Sequence, residues 1–250
     1  MKWEIVAGYE ALSDRSAQLL LSSVRRDPHL VLGLPTGRTP EGMYARVVAE
    51  CSRAYHCFRD VITFNLDEYV GIAPDHQGSY HTYMHQHLLD HVDVQPERAH
   101  IPDGRAGQGK SVLPPDQALR QECARYERAI ADAGGLGLTI LGLGTNGHIG
   151  FNEPGTPFDS RTRLVHLSES TRRANADLFP DGTVPRQAIT MGIATILSSR
   201  AIVILASGSK KREAVARLRK SDPDPSFPAS ALRLHPDVTV IADQAAAPQG

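Results

Sequence analysis

Short apolar runs alternate with helical patterns along this 250-residue chain, and the alternation predicts an α/β fold with an open, mostly parallel sheet and helices on both faces. Two further observations agree with it. The hydrophobic fraction of 41% is sufficient for a substantial core, and the length suits one large domain or two small ones. No internal repeat or low-complexity segment interrupts the pattern, so we expect a single domain over residues 1–250.

The expected elements follow from the periodicity of apolar residues. Five apolar runs predict strands, at residues 29–34, 61–66, 136–143, 201–206 and 238–242. The first expected helix begins at Thr39, a good N-cap, with Pro40 in its first position. Further helices are expected at residues 79–90, 116–132, 168–179 and 210–220. The stretches at 105–115 and 222–228 are rich in Pro and polar residues, which favours surface loops.

The composition excludes several classes of protein. The formal net charge is −1 and no run of like charges occurs, so nucleic acid is not an expected partner. No apolar run is long enough to span a bilayer, and Lys2 and Glu4 interrupt the N-terminus, so neither a membrane span nor a signal peptide is expected. Cys51, Cys57 and Cys123 lack zinc-type spacing. We expect small buried hydrophobes there, in the reducing environment of the cytoplasm.

The first loop that could bind a ligand is PTGRTP, residues 35–40, between a predicted strand and the helix after it. Backbone N–H groups at a helix start, next to Gly37 and the hydroxyls of Thr36 and Thr39, suit a phosphate. A simple strand-to-helix turn with a Thr-Pro cap would have the same sequence, so the spacing alone leaves both interpretations open.

The second loop begins with two adjacent acids, Asp67 and Glu68, directly after the predicted strand at 61–66. If the strand continued, their side chains would lie on opposite faces, so one could face a cleft while the other braces the loop. A carboxylate is a reasonable general base for a proton next to a carbonyl. A solvated loop start is equally compatible with the sequence.

The third loop is GLGTNGHIGFNEPG, residues 142–155, in which four of the first nine residues are glycine. Such a composition indicates close backbone approach to a ligand. His148 and Glu153 are close enough in sequence to hydrogen-bond, and a carboxylate can orient an imidazole and raise its basicity. A structural His–Glu pair remains the alternative. Because ligands bind outside the carboxyl ends of parallel strands, the three loops could meet at one site.

Two weaker patterns do not predict a cofactor. One predicted helix contains four histidines, which are His81, His85, His87 and His91. No carboxylate or third ligand completes a known metal pattern, so a solvated helix face is favoured. Gly142-x-Gly144-x-x-Gly147 matches the dinucleotide fingerprint, but the loop continues where that fingerprint needs a helix. We therefore expect neither a metal nor NAD.

Taken together, the loops resemble the glucosamine-6-phosphate deaminase family. The resemblance runs from about residue 32 to residue 243, and its most specific pieces are LGLPTGRTPEGMY, TFNLDEYVG, GSYHTYMHQHLLDHVDV, LGLGTNGHIGFNEPG, SRTR, AITMGIATIL and FPASALRLHPDVTV. It implies a Rossmann-like enzyme without metal or organic cofactor that converts glucosamine 6-phosphate into fructose 6-phosphate and ammonia, with a lid around residues 155–180. The implied partner is a small amino-sugar phosphate, and a homo-oligomer remains open.

The resemblance also implies roles for individual residues. His148 would move the proton for ring opening, with Asn146 and Glu153 in its relay, and Asp67 would be the base that shuttles a proton between C2 and C1. The implied substrate-binding residues hold the phosphate, and they are Thr36, Gly37, Arg38, Thr39 and Lys211.

Some positions depart from the family pattern. Asn146 stands where some members carry Asp, Arg38 where Gly or Ser is usual, and Asp177 where many members carry a phosphate-binding Arg. We hypothesise that Arg38 supplies the missing guanidinium, while Asp177 pairs with it or faces solvent. Alternatively, Arg38 points outward and the phosphate relies on Lys211 and backbone N–H groups. Val165 replaces a Lys of allosterically regulated members, so such regulation is not expected.

We consider three alternative functions. A deaminase for the C4 epimer, galactosamine 6-phosphate, would need the same motifs. A lactone hydrolase would need no C2 base and would make Asp67 dispensable. A sugar-phosphate sensor of a transcriptional regulator would need a DNA-binding helix-turn-helix, for which we expect no room before the first strand near residue 29.

Overall fold

A computed structural model describes residues 1–53, 57–108, 113–179 and 182–248. Its main sheet has seven strands in the order β1-β10-β9-β6-β2-β3-β5, and every pairing in it is parallel. The strands of this sheet are β1 (Lys2–Val6), β2 (Val31–Leu34), β3 (Ile62–Asn65), β5 (Ala99–His100), β6 (Leu138–Gly142), β9 (Ala201–Ala206) and β10 (Val238–Asp243). The five predicted strands are confirmed, while β1 and β5 at the two sheet edges were not predicted.

Helices cover both faces of this sheet, which confirms the predicted fold class. They are α1 (Tyr9–Arg26), α2 (Arg38–Cys51), α3 (Tyr80–His87), α4 (Pro115–Asp132), α5 (Glu169–Ala174), α6 (Ile193–Leu197) and α7 (Arg212–Lys220). Alternate strand residues enter two separate cores, as the two-residue strand period requires. One core packs α1, α2 and α3 against Leu32, and the other packs α4, α6 and α7 against Val31.

A second sheet of three short strands was not predicted. It has the antiparallel order β4-β8-β7 and consists of β4 (Asp67–Tyr69), β7 (Arg163–His166) and β8 (Gln187–Thr190). Since β4 begins one residue after Leu66, the chain passes almost directly from the main sheet into the second one. Asp67 lies opposite Thr190 in this pairing.

Several boundaries differ from the predicted ones. Helix α2 begins at Arg38 and not after Thr39, because Gly37 (φ 96°) turns the backbone into the helix without a side-chain cap. The helices expected at 79–90, 168–179 and 210–220 are each an α-helix joined to a short 3-10 segment. Helix α4 begins at Pro115 instead of Asp116. Of the loop expected at 105–115, residues 109–112 lie outside the described part.

The expectation for the cysteines needs a correction. Cys51 lies at the end of α2 and forms a disulfide with Cys57, so neither is simply a small apolar side chain. Cys123, on α4, is free and buried as expected. Their separation of six residues matches no pairing motif, so the sequence analysis did not predict the disulfide.

The strand order places the predicted loops at one edge of the sheet. From β2, the chain adds β3 and β5 on one side, and β6, β9 and β10 on the other, so the direction of winding reverses between β2 and β6. In open parallel sheets, ligands bind at the carboxyl ends of strands beside such a reversal. The loops after β2, β3, β6 and β9 therefore meet there. No helix among the described residues is long and apolar enough to cross a membrane.

Candidate active site

The loop after β2 is held through its carbonyl oxygens. Three tyrosine hydroxyls donate to consecutive parts of it: Tyr44 to the Pro35 carbonyl at 2.6 Å, Tyr83 to the Gly37 carbonyl at 2.7 Å and Tyr9 to the Arg38 carbonyl at 3.0 Å. These contacts leave the first backbone N–H groups of α2 without an intrahelical partner, as at any helix N-terminus. The loop is therefore a preorganised anion site, with the partial positive charge of the helix start behind it.

Asp67 occupies the first position of β4 and is only 5% exposed. Within the described ranges, no donor hydrogen-bonds to its carboxylate, and burial followed by the nearby charge of Glu68 raises its pKa from 3.8 to about 8. A side chain at Gly150 would lie 3.4 Å from Asp67 Oδ2, so the loop after β6 passes directly over this carboxylate. Asp67 is therefore a buried acid that can exchange a proton near neutral pH.

Glu68, on the opposite face of β4, is the acid that braces the loop, a role that the sequence analysis left open between Asp67 and Glu68. It accepts hydrogen bonds from the backbone N–H groups of Tyr69, Tyr80 and His81 and from the Ser79 hydroxyl, at 2.7–3.1 Å. Burial raises its pKa, while these donors act in the other direction. Glu68 thus anchors the start of α3 and keeps a carboxylate next to Asp67, as the alternation of the two acids suggested.

His148 and Glu153 are joined through Asn146. The His148 Nδ1 atom lies 2.6 Å from Asn146 Oδ1, and Asn146 Nδ2 donates to Glu153 Oε2 at 2.8 Å. The direct His–Glu hydrogen bond considered from the sequence is replaced by this relay. Since a carboxylate only accepts, the amide NH₂ faces Glu153 and the amide oxygen faces the imidazole. His148 Nδ1 must then carry the proton, which leaves Nε2 as the acceptor.

Three neighbours set the environment of the imidazole. A side chain at Gly144 would lie 2.4 Å from His148 Nδ1, so only glycine lets the backbone pass under the ring. Burial is the main cause that lowers the pKa of His148; Glu153 raises that pKa and Lys211 lowers it. Lys211 is itself sequestered enough that burial lowers its pKa. The imidazole is thus neutral at physiological pH, with a cation nearby.

The segment around α5 contacts the site at two points. Thr171 donates its hydroxyl proton to Glu153 Oε1. Asp177, in the 3-10 segment after α5, forms a 3.0 Å ion pair with the Arg38 guanidinium. Both side chains of this pair are more than 80% exposed, so it stabilises the fold little in the absence of a ligand. This is the Arg38–Asp177 pairing that the sequence suggested.

The structure brings most of the predicted site residues to one edge. Asp67, His148, Asn146 and Glu153 lie in adjoining loops, and Lys211 acts on His148 from the loop after β9. The Thr36 side chain hydrogen-bonds with the Tyr80 phenol. The other predicted residues lie at the N-terminus of α2. Gly37 is its N-cap, Arg38 is its first residue and pairs with Asp177, and Thr39 lies in its first turn. Sequence reasoning missed Thr171 and the tyrosines.

The histidine-rich helix does not assemble a ligand cluster. His81 stacks on His85 with ring centroids 4.4 Å apart, and His85 Nδ1 lies 2.7 Å from Asp90 Oδ1. In the described part of the chain, no group of three or more His, Cys, Asp or Glu side chains is arranged to hold a metal ion. The residues around Asp67 and His148 are suited to proton transfer and anion binding.

Comparison with known proteins agrees with this site. The chain is 48% identical over 243 residues to the glucosamine-6-phosphate deaminase of Shouchella clausii, covering 97% of this chain and 94% of that protein. It is 48% identical over 245 residues to the one from Rhodopirellula baltica, covering 98% and 94%. A solved structure of a monomeric glucosamine-6-phosphate deaminase superposes with a TM-score of 0.91 at 44% identity, covering 98% of both chains.

More distant structures share the fold alone. The 6-phosphogluconolactonase of Trypanosoma brucei superposes with a TM-score of 0.79 at 19% identity, covering 98% of this chain and 97% of that one. The family model described as "Glucosamine-6-phosphate isomerases/6-phosphogluconolactonase" matches residues 7–241, nearly the whole chain. With the loops of the site and relatives at this level of identity, the chain belongs to the glucosamine-6-phosphate isomerase/6-phosphogluconolactonase family of enzymes.

Proposed function

We propose that this chain is a glucosamine-6-phosphate deaminase, which converts glucosamine 6-phosphate and water into fructose 6-phosphate and ammonia. The observation that carries the proposal is the buried carboxylate of Asp67, which accepts no hydrogen bond from the described residues and lies under the loop after β6. That same loop carries His148, an imidazole whose Nδ1 proton is held in place. A carbon acid needs such a base, and a closed sugar ring needs such a proton carrier. Relatives at 44–48% identity with the same name support the assignment.

Ring opening is the role we assign to His148. Its unprotonated Nε2 accepts the proton of the C1 hydroxyl and returns it to the ring oxygen, which opens the pyranose to the aldehyde. The lowered pKa of His148 keeps the imidazole neutral and ready to accept. Asn146 and Glu153 hold the ring orientation and stabilise the transient imidazolium.

Asp67 is assigned the carbon chemistry. Its carboxylate removes the proton from C2 of the open chain and delivers it to C1. The C1 carbonyl oxygen takes a proton from the 2-ammonium group and becomes a hydroxyl, so the C2–N bond becomes an iminium. Water adds to C2, and the C–N bond breaks to release ammonia and leave the ketone. The pKa of about 8 is close to the working pH, where a general base combines adequate ionisation with good basicity.

Phosphate binding is assigned to the loop after β2 and to Lys211. The N–H groups of Gly37, Arg38 and Thr39, with the Thr36 and Thr39 hydroxyls, surround the start of α2. Lys211 supplies a positive charge from the neighbouring loop. We include Arg38 as a bidentate partner of the phosphate, which would exchange Asp177 for the stronger dianion. Every step is a proton transfer or a water addition, so the proposal includes no metal or organic cofactor.

The direct test is ammonia release from a panel of phosphorylated sugars. We expect release from glucosamine 6-phosphate, whereas release from galactosamine 6-phosphate alone would favour the deaminase for the C4 epimer. Hydrolysis of 6-phosphogluconolactone, with no ammonia released from either amino sugar, would replace the proposal with the lactonase alternative. Asp67→Asn separates the two chemistries, because only the deaminase needs a base at C2.

Location and assembly are parts of the same proposal. Sugar phosphates are dianions that bilayers retain on the side where they are made, which supports action in the cytoplasm. Whether the chain forms a homo-oligomer was left open by the sequence and is a separate question. Sedimentation of the purified chain answers it by measuring the mass of the particle in solution. One relative of known structure is described as monomeric, and a single mass near 27.2 kDa would match it.

A further inference from the structure

The contact between Thr171 and Glu153 links α5 to the proton relay. Thr171 is 8% exposed, so this hydrogen bond is sheltered from water. Its direction follows from a third partner: the Ser168 hydroxyl donates to Thr171 Oγ1 at 3.0 Å, and Thr171 donates its own proton to Glu153 Oε1. Ser168 is also the N-cap of α5, because its hydroxyl accepts from the Thr171 N–H at 3.2 Å. Docking of α5 and this hydrogen bond are therefore inseparable.

The two oxygens of Glu153 serve two different elements. Oε1 accepts from Thr171 in α5, while Oε2 accepts from Asn146 Nδ2 in the loop after β6. Asn146 Oδ1 also accepts from the His148 backbone N–H at 3.1 Å, so the amide keeps its oxygen toward the imidazole. Thr171 instead controls the position of the carboxylate. Without the Thr171 proton, Glu153 can turn away from Asn146 Nδ2, and its negative charge then supports the imidazole less.

We propose that Thr171 is a positioning residue for the reaction: its hydroxyl fixes Glu153, and through Asn146 this carboxylate orients and stabilises the imidazole of His148 as it accepts a proton. This inference rests on the proposed function, and it adds a dependence of the chemistry on α5. Ring opening builds positive charge on this imidazole, so the chemical step is faster when Thr171 of α5 holds Glu153 in place. Thr171 itself touches neither the sugar nor the reacting atoms.

The matched variants are Thr171→Val, which keeps the shape and removes the hydroxyl, and Thr171→Ser, which keeps the hydroxyl and removes the methyl group. We expect Thr171→Val to lower kcat for ammonia release about tenfold or more with little change in KM, because one hydrogen bond to a charged group is lost. Thr171→Ser should retain most of the activity. A threonine that served packing alone would show the opposite order, since serine creates the larger cavity.

The second readout is the pKa of His148, measured in the substrate-free protein by ¹⁵N NMR titration of the imidazole nitrogens. His148→Gln assigns the signals among the 11 histidines. We expect the pKa of His148 to be lower in Thr171→Val than in the wild type, because the carboxylate that raises this pKa is held less firmly, and to be unchanged in Thr171→Ser. An unchanged pKa together with unchanged kcat in Thr171→Val would overturn the inference. If the wild type releases no ammonia from glucosamine 6-phosphate, the proposed function fails, while the NMR comparison still decides the role of Thr171.

Discussion

Replacing Asp67 by Asn should abolish activity and, at alkaline pH, stabilise the fold. The folded-state pKa of Asp67 is about 8, against an ordinary value of 3.8. At about 1.36 kcal/mol per pKa unit, ionising this buried side chain costs the folded state on the order of 5 kcal/mol. Between these two pKa values the folded protein binds one proton more than the unfolded chain. Its stability therefore falls as pH rises toward 8, and Asn, which stays neutral, avoids this loss.

The prediction is measured by urea unfolding of both proteins from pH 5 to pH 9. The free energy of unfolding of Asp67→Asn minus that of the wild type should increase by about 4 kcal/mol between pH 5 and pH 8, and then level off. Asp243→Asn is the matched control. That carboxylate is also buried, at 3% exposed, but it accepts hydrogen bonds from the Ser207 hydroxyl and from the N–H groups of Gly208 and Ala246. We expect the control to be less stable than the wild type.

The activity measurement completes the experiment. Ammonia release by Asp67→Asn should fall by about 10²–10⁴. In the wild type, kcat/KM should rise with pH through about 8, as the carboxylate ionises in the free enzyme. A stability difference that does not vary with pH would refute the link between burial and the raised pKa. Near-normal turnover by Asp67→Asn would refute its role as the base.

Three further predictions concern the rest of the site. In steady-state assays, Arg38→Gly should raise KM strongly with a smaller change in kcat. Arg38→Gly combined with Asp177→Arg should recover much of that loss. An unchanged KM in the single variant would exclude Arg38 from phosphate binding. Asn146→Asp should raise the pKa of His148 in an NMR titration, because a carboxylate then lies where the amide oxygen is 2.6 Å from Nδ1; an unmoved titration would contradict the relay geometry. Chelators should leave ammonia release unchanged, and a loss that one divalent ion restores would show that the cofactor-free proposal is wrong.

The predicted fold and the predicted site depended on different kinds of information. Residues 201–206 predicted β9 because a run of consecutive apolar residues is a local signal of a buried strand. The glycines of residues 142–155 marked the loop over the site for a similar reason, since close approach needs glycine wherever it occurs. By contrast, the three-residue strand β4 pairs with β8, over 100 residues away, and so short a strand carries no pattern of its own.

The sequence by itself determined the order of five strands of the main sheet and five of the helices, the loops at those strand ends and the chemical types available there, because apolar periodicity and residue chemistry are local properties. Only the tertiary structure decided which of those side chains touch. It placed Asn146 between His148 and Glu153, and brought Thr171 to the far oxygen of that carboxylate. It also buried Asp67 where none of the described residues donates a hydrogen bond to it, and the pKa of a carboxylate depends on solvent and charges that distant segments exclude or supply.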